Sequence, residues 1–361
     1  VIDFRYHIVS LISVFLALAV GIILGAGPLQ GAIGDQLTGQ VEQLRLERNE
    51  LRDQLDATNL EAADNQEFIV AAGPQLVAGS LQDRRVAVVD LGEVDGDRYE
   101  AVQKQLESAG ASVVGHVRLH GAWTAEDQAD ARKAVATEVT NLVSGVEEAG
   151  TDEKLAAALT TSLSAKQLAA PEARTSEAVL IEQKLAEAEL IEVVQQQDVP
   201  ADVVLLLEPQ PAAVPAADAT KEASVDEAKA YAVDIEVLLA QAAQARSDGS
   251  LVAGSTPVPG DLISTITADA DLAAVLSTVS GIEEAAGQIS VPLALAARLG
   301  DKVGQYGFED GATAVIPPAV QLPPVDRTPL GAAPGTAGDA GTAGDTGTAG
   351  DTGTAGEQTE G

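Results

Sequence analysis

Four carboxylates and two imidazoles are the side chains best suited to chemistry in this sequence. Asp90, Glu93, Asp95 and Asp97 follow one another within eight residues, at the end of an apolar run, Arg85–Leu91, that reads as a buried strand. Clustered carboxylates at the carboxyl end of a strand could hold a hard divalent cation, with Asp90 and Asp95 as the candidate ligands. An acidic solvent-facing turn whose Asp97 caps the next helix explains the same residues without a ligand. His116 and His120 stand four apart and would share one face of a strand. At roughly 3.3 Å per residue they lie about 13 Å apart, too far to share one ion. Only a turn near Gly115 or Gly121 would bring them together as metal ligands. Two solvated histidines at a strand end are the plainer reading.

Other chemistries are closed by composition. With no Cys and no Met, thiol catalysis and thiolate or thioether metal sites have no residues to work with. No phosphate-binding glycine loop, dinucleotide fingerprint or nucleophile elbow occurs in the sequence. The chain is expected to be no enzyme and to hold no resident cofactor.

The elements around these residues alternate. Strand Arg85–Leu91, helix Asp97–Ala109 stopped by Gly110, and strand Ala111–Leu119 suggest a parallel pair with a right-handed crossover. A long helical region follows from Thr124 to about Glu189, interrupted at Gly145–Gly150 and Pro171. Val203–Leu207 is a further buried strand, Val225–Arg246 a helix and Ser250–Ala253 a short strand. Leu293–Leu299 reads as helical and Thr313–Ile316 as a last strand. The expected architecture is an open, mostly parallel α/β sheet with helices on both faces, its strand order undetermined.

Ahead of this lies a segment of another kind. No residue from Ile8 to Gly34 is charged, and Ile8–Leu29 is long enough to span a bilayer core, which takes about 20 helical residues. A cleaved signal peptide would have a shorter apolar region, and its small-residue site, Gly25-Ala26-Gly27, is followed by Pro28. A retained single-pass anchor is therefore expected, in the cell membrane. The flanking charges barely set its orientation; a short cytoplasmic N-terminal stub would leave the soluble part extracytoplasmic. Ala17, Gly21 and Gly25 form a seam of small residues on which two such helices could pack.

Beyond the anchor, Val41, Arg48 and Leu55 take heptad a positions, and Leu37, Leu44, Leu51 and Thr58 take d positions. So narrow an apolar stripe has little reason to be helical alone. A homodimeric coiled coil, favoured by tethering to one membrane, would bury it. A helix folded back on the globular part, or a membrane or envelope protein partner meeting Arg48, are the alternatives. The sequence thus divides into an anchor (1–34, spanning at about 8–29), a coiled-coil stalk (35–65), a linker (66–84), an α/β domain (85–317) and a tail (318–361).

In the tail, prolines give way to GTAGDA, GTAGDT, GTAGDT and GTAGEQ. A repeat without an aliphatic residue cannot build a core, so a disordered acidic tail is expected. Over the whole chain 55 acidic residues face 21 basic ones, a formal net charge of -34. That argues against nucleic acid and against docking on an anionic membrane surface, and leaves proteins and cations as partners of the acidic part, with the lipid bilayer as partner of the anchor.

Asp3–Leu29, the heptad stalk and Gly304-Gln305-Tyr306-Gly307 together resemble the MctB family of actinobacterial envelope proteins, over roughly residues 1–317. The resemblance implies a role in copper transport or copper homeostasis. It also implies an alternative, a scaffold at the septum that partners a neighbouring membrane protein and controls cell-wall hydrolysis in division. Copper enters only through this resemblance: Cu(II) favours imidazole, and the chain offers His7, His116 and His120 alone.

Overall fold

Val203–Leu207 contains no polar side chain, and the centre of Arg85–Asp90 is equally apolar. Such strands are stable only where both faces of a sheet are covered. The computed structural model describes residues 4–210 and 222–329 and builds a seven-stranded sheet around these two runs. In chain order the elements are α1 (Phe4–Val77), β1 (Arg85–Asp90), α2 (Gly96–Ser108), β2 (Ser112–Leu119), α3 (Ala129–Val139), α4 (Thr151–Ser164), β3 (Lys166–Gln167), β4 (Ala170–Arg174), α5 (Ser176–Glu187) and β5 (Ile191–Gln195). They continue with β6 (Val203–Leu207), α6 (Glu222–Arg246), β7 (Gly249–Ala253), α7 (Leu262–Ala268), α8 (Ala270–Ala273), β8 (Thr278–Val279), α9 (Ala285–Leu299) and β9 (Gln305–Tyr306). The sheet order is β5-β2-β1-β6-β7-β8-β9. All neighbours are parallel except β5, which runs antiparallel to β2 at one edge.

Alternation along the central strands splits the core in two. Ala87, Val89, Val204 and Leu206 face α3–α7, while Val86, Val88, Val203, Leu205 and Leu207 face α2, α9 and the end of α1. Each buried Val or Leu contributes roughly 1.5–3 kcal/mol of transfer free energy, so an aliphatic core suffices where aromatics are scarce.

Several elements differ from the sequence reading. Asp95, not Asp97, caps α2: its Oδ1 accepts the N–H groups of Asp97 (3.1 Å) and Arg98 (3.3 Å). The helical region from Thr124 to Glu189 contains a small hairpin, β3–β4, around Pro171. Leu293–Leu299 is only the second half of α9. Thr313–Ile316 forms no strand; Ala314 makes a single bridge to Tyr306 in β9, and Thr313 N–H donates to the Gln305 carbonyl (2.7 Å). The segment read as a linker is helical through Gly73-Pro74 to Val77. The stalk is one helix in this single chain, with Leu37, Val41, Leu44, Leu51 and Leu55 all exposed.

Residues 318–329, read as the start of the tail, follow the domain surface. Arg327 Nη2 donates to Asp202 Oδ2 (2.7 Å) and to the Asp83 carbonyl (2.9 Å), and Arg84 Nη2 donates to the Pro323 carbonyl (3.1 Å). The GTAGD repeats lie outside the described residues.

Gly287 shows how tightly α9 sits on the sheet. A Cβ built there would lie 2.2 Å from the Gly281 carbonyl oxygen. On an open helix Gly→Ala gains about 1 kcal/mol; here backbone stands in the way. Gly287→Ala is expected to lower the urea midpoint of the whole chain, whereas a raised midpoint would show that the loop at Gly281 yields freely.

Candidate functional site at the carboxyl edge of the sheet

β1 ends in Asp90 beside the C-terminal half of β2, with His116 paired to Val88 and Arg118 to Asp90 in the parallel register. A register shift between Val86 and Ala87 sets these side chains against one another. His116 Nε2 donates to Asp90 Oδ2 at 2.8 Å. Arg118 Nε stands 3.6 Å from the same oxygen, and Arg118 Nη1 donates to Glu192 Oε2 of β5 at 2.9 Å. Tyr99 of α2 stacks flat on the imidazole, with ring centroids 4.2 Å apart. Burial, and then the Asp90 charge, push the Tyr99 hydroxyl up to about 12.

The two histidines therefore differ in kind. His116 is 3% exposed, a buried partner of a buried carboxylate and not the solvated strand-end residue of the sequence reading. His120 is exposed just beyond β2. Its N–H donates to the Leu190 carbonyl and its carbonyl accepts from Trp123, so it opens a short turn. The extended strand keeps the two rings from converging. Asp95 spends Oδ1 on its helix cap, while Glu93, Val94, Asp95, Arg118 and Gln210 line a shallow 350 Å³ cleft. Asp90 Oδ1 is buried without a hydrogen-bond partner, but Oδ2 already faces two basic groups. Among the described residues no group of three or more His, Asp or Glu side chains is arranged to hold a metal ion.

The strand order reverses between β1 and β6, the place where open α/β sheets usually bind ligands. Here Pro209 closes over Gly92, its Cγ 3.2 Å from where a Cβ would sit. Beyond it lies an acidic group that the sequence reading missed. Glu208, buried at the end of β6, accepts the Leu262 N–H at 3.0 Å. Asp261 caps α7 through Ser264 N–H (2.7 Å) and also accepts Val258 N–H (2.6 Å). Glu236 approaches from α6. Burial, then the charge of Asp261, push the Glu208 carboxyl up to about 7. Burial, then the charges of Glu208 and Asp261, push Glu236 up to about 8; Lys229 works against both shifts. The signals were present: a Glu closing an all-apolar strand, and a Glu on the core-facing side of a helix between Val233 and Ala240.

The arrangement fixes side chains and stores buried acids. The α1 surface is the larger functional feature. Its first turns, Phe4–Gly25, form a 22-residue apolar stretch long enough to cross a membrane, with none of it buried against protein.

Known proteins align with the chain along most of its length. The family described as copper transport outer membrane protein, MctB, matches residues 1–317. Proteins named copper transporter MctB from Mycobacterium bovis and Mycobacterium tuberculosis are 30% identical over 332 residues, covering 87% of this chain and 98% of each relative.

The buried acids make stability depend on pH. The unfolded chain releases these protons near 4.5, the fold near about 7 for Glu208 and about 8 for Glu236. The folded state thus holds more protons across that window, and its stability falls as pH rises through it. The double variant Glu208→Gln, Glu236→Gln should match the parent near pH 4.5 and exceed it progressively up to pH about 8, as read from urea midpoints at each pH. Parallel pH profiles for the two chains would refute this.

Proposed function

The chain belongs to the MctB family of copper transport proteins, and on that premise we propose that it is a membrane-anchored, homodimeric envelope protein that serves copper homeostasis without catalysing a reaction. The observation that carries the reading is α1. Its apolar Phe4–Gly25 stretch suits the lipid bilayer, and the same helix continues without interruption to the α/β domain. The sheet has both faces covered by helices, so contact with lipid falls to α1. In this reading the acidic domain lies outside the cytoplasm.

Two features support pairing. Gly21 and Gly25 leave open space on their face of the helix, as close approach of two backbones requires. The exposed heptad residues Leu37, Val41, Leu44, Leu51 and Leu55, with Arg48 among them, gain burial only against another helix.

Copper here is cargo, handled indirectly. One helix of apolar side chains provides no conduction path. Copper's preferred ligands are limited to three histidines, of which His116 is committed to Asp90. Deleting the gene should raise cellular copper, measured by elemental mass spectrometry, and the full chain should restore it. A chain lacking residues 4–25 should fail to do so. His7→Ala with His120→Ala should restore it as well as the parent. Unchanged copper on deletion would dismiss the copper role; loss of function in the histidine variant would replace the indirect role with direct ligation.

Sidedness has its own test. Gln43→Cys and Glu187→Cys place single thiols at exposed positions of a chain without cysteine. Both should react with a membrane-impermeant maleimide in whole cells. Labelling only after lysis would put the domain in the cytoplasm.

A further inference from the structure

The heptad phase of the stalk continues past residue 58. Ala62, Ile69 and Leu76 occupy later a positions, Asn65 and Ala72 later d positions, and α1 is helical through all of them. A strict seven-residue repeat drifts by about 20° per heptad on a straight helix, so over roughly five heptads, from Leu37 to Ala72, the seam turns by about 100°. At the domain end it has left the face that packs on α9, where Gly73 and Val77 are buried, and reached the adjoining flank. On that flank Ile69, Ala72 and Leu76 face Ile289, Leu293 and Phe308 across an apolar groove of 370 Å³. Phe68 beside it is 73% exposed and Phe308 77%, in a chain with four phenylalanines. Apolar surface gathered in this way marks an interaction site.

We propose that the groove seats α1 of a second copy of this chain, in a parallel two-stranded coiled coil that runs from Leu37 to Leu76. The inference rests on the stalk pairing proposed above and extends it onto the globular domain. What singles out a second copy is the pattern flanking the seam. In a parallel pair each g residue faces the e residue of the next heptad on the other helix. Glu47 at g meets Arg52 at e, so opposite charges face each other on both sides of the two-fold axis. Three heptads on, Phe68 at g meets Gly73 at e. Gly73 has no side chain, and Ile289 fills its place: a Cβ there would lie 2.8 Å from Ile289 Cδ1. The ring of the second copy's Phe68 is thereby brought onto Ile289, at the floor of the groove. The contact is isologous, each copy giving one ring and receiving one. It adds apolar layers beyond Thr58 and Asn65, which leave the middle of the seam poor.

Single cysteines in the full chain, held in lipid nanodiscs, read both ends of the pair. Leu44→Cys and Ala72→Cys lie at d positions, stalk and groove respectively, and each is expected to oxidise to a disulfide-linked dimer. Phe68→Glu, at an exposed position, should lower cross-linking of Ala72→Cys at least tenfold and leave that of Leu44→Cys unchanged. Cross-linking at 44 without 72 would keep the stalk pair and overturn the groove assignment in favour of another protein as occupant. Cross-linking at neither would remove both. Cross-linking at 72 that is indifferent to Phe68→Glu would remove the ring from the contact.

Discussion

α1 carries more apolar surface than the globular domain covers, and what covers the remainder decides how this chain is held. An isolated helix is marginal in water, and its stability comes from the surface it buries. α1 needs three different covers along its length. The apolar first turns match hydrocarbon in length and composition. The last turns are covered by α9, with Gly73 and Val77 buried. Between them the leucines from Leu37 to Leu55 are exposed among the described residues of one chain. With its first turns in a bilayer, as proposed, a continuous helix with such ends would tie the position of the sheet to the position of the membrane.

The α/β domain is solved by ordinary means and carries its unusual features at the carboxyl edge of the sheet. On one side of β1, His116 and Arg118 face Asp90 Oδ2, and Tyr99 stacks on the imidazole. A buried carboxylate is costly unless neutralised and hydrogen-bonded; Asp90 meets both needs at Oδ2, while Oδ1 has no hydrogen-bond partner. On the other side of β6 the solution is different. Among the described residues Lys229 is the counter-charge that acts on Glu208 and Glu236, and burial raises their proton affinity against it. A chain with 55 acidic residues thus keeps two of them where protonation, not pairing, removes the cost. The opposite edge of the sheet is held by Arg327, whose bonds to Asp202 and Asp83 fasten residues 318–329 to the domain.

Much of the fold was legible because its central strands have no other explanation. Val203–Leu207 is too apolar for anything but a doubly covered strand, and β1, α2 and β2 are punctuated by Gly110 and by an acidic cap. The misses share a physical cause. β8 and β9 are two residues long and carry no periodic signal; their pairing is set by neighbours distant in sequence. β5 alternates weakly and exists because β2 offers it an edge. The helix through Gly73-Pro74 reads as a break locally, yet packing on α9 overrides propensity there. At the candidate site, Asp90 and His116 were visible as residues but their contact was not, because it depends on strand register. Glu208 was overlooked because a single acid after an apolar strand looks like the start of a loop.

The most direct measurement is residue-resolved hydrogen exchange along α1 in the full chain, reconstituted in lipid nanodiscs. If lipid, a second helix and α9 cover its surface in turn, amide protection should persist from the membrane span through residues 37–65 to Val77. Fast exchange across residues 37–65, with protection only at the two ends, would show that the middle of α1 has no cover. It would then be a bare tether between membrane and domain, and pairing along α1 would be ruled out.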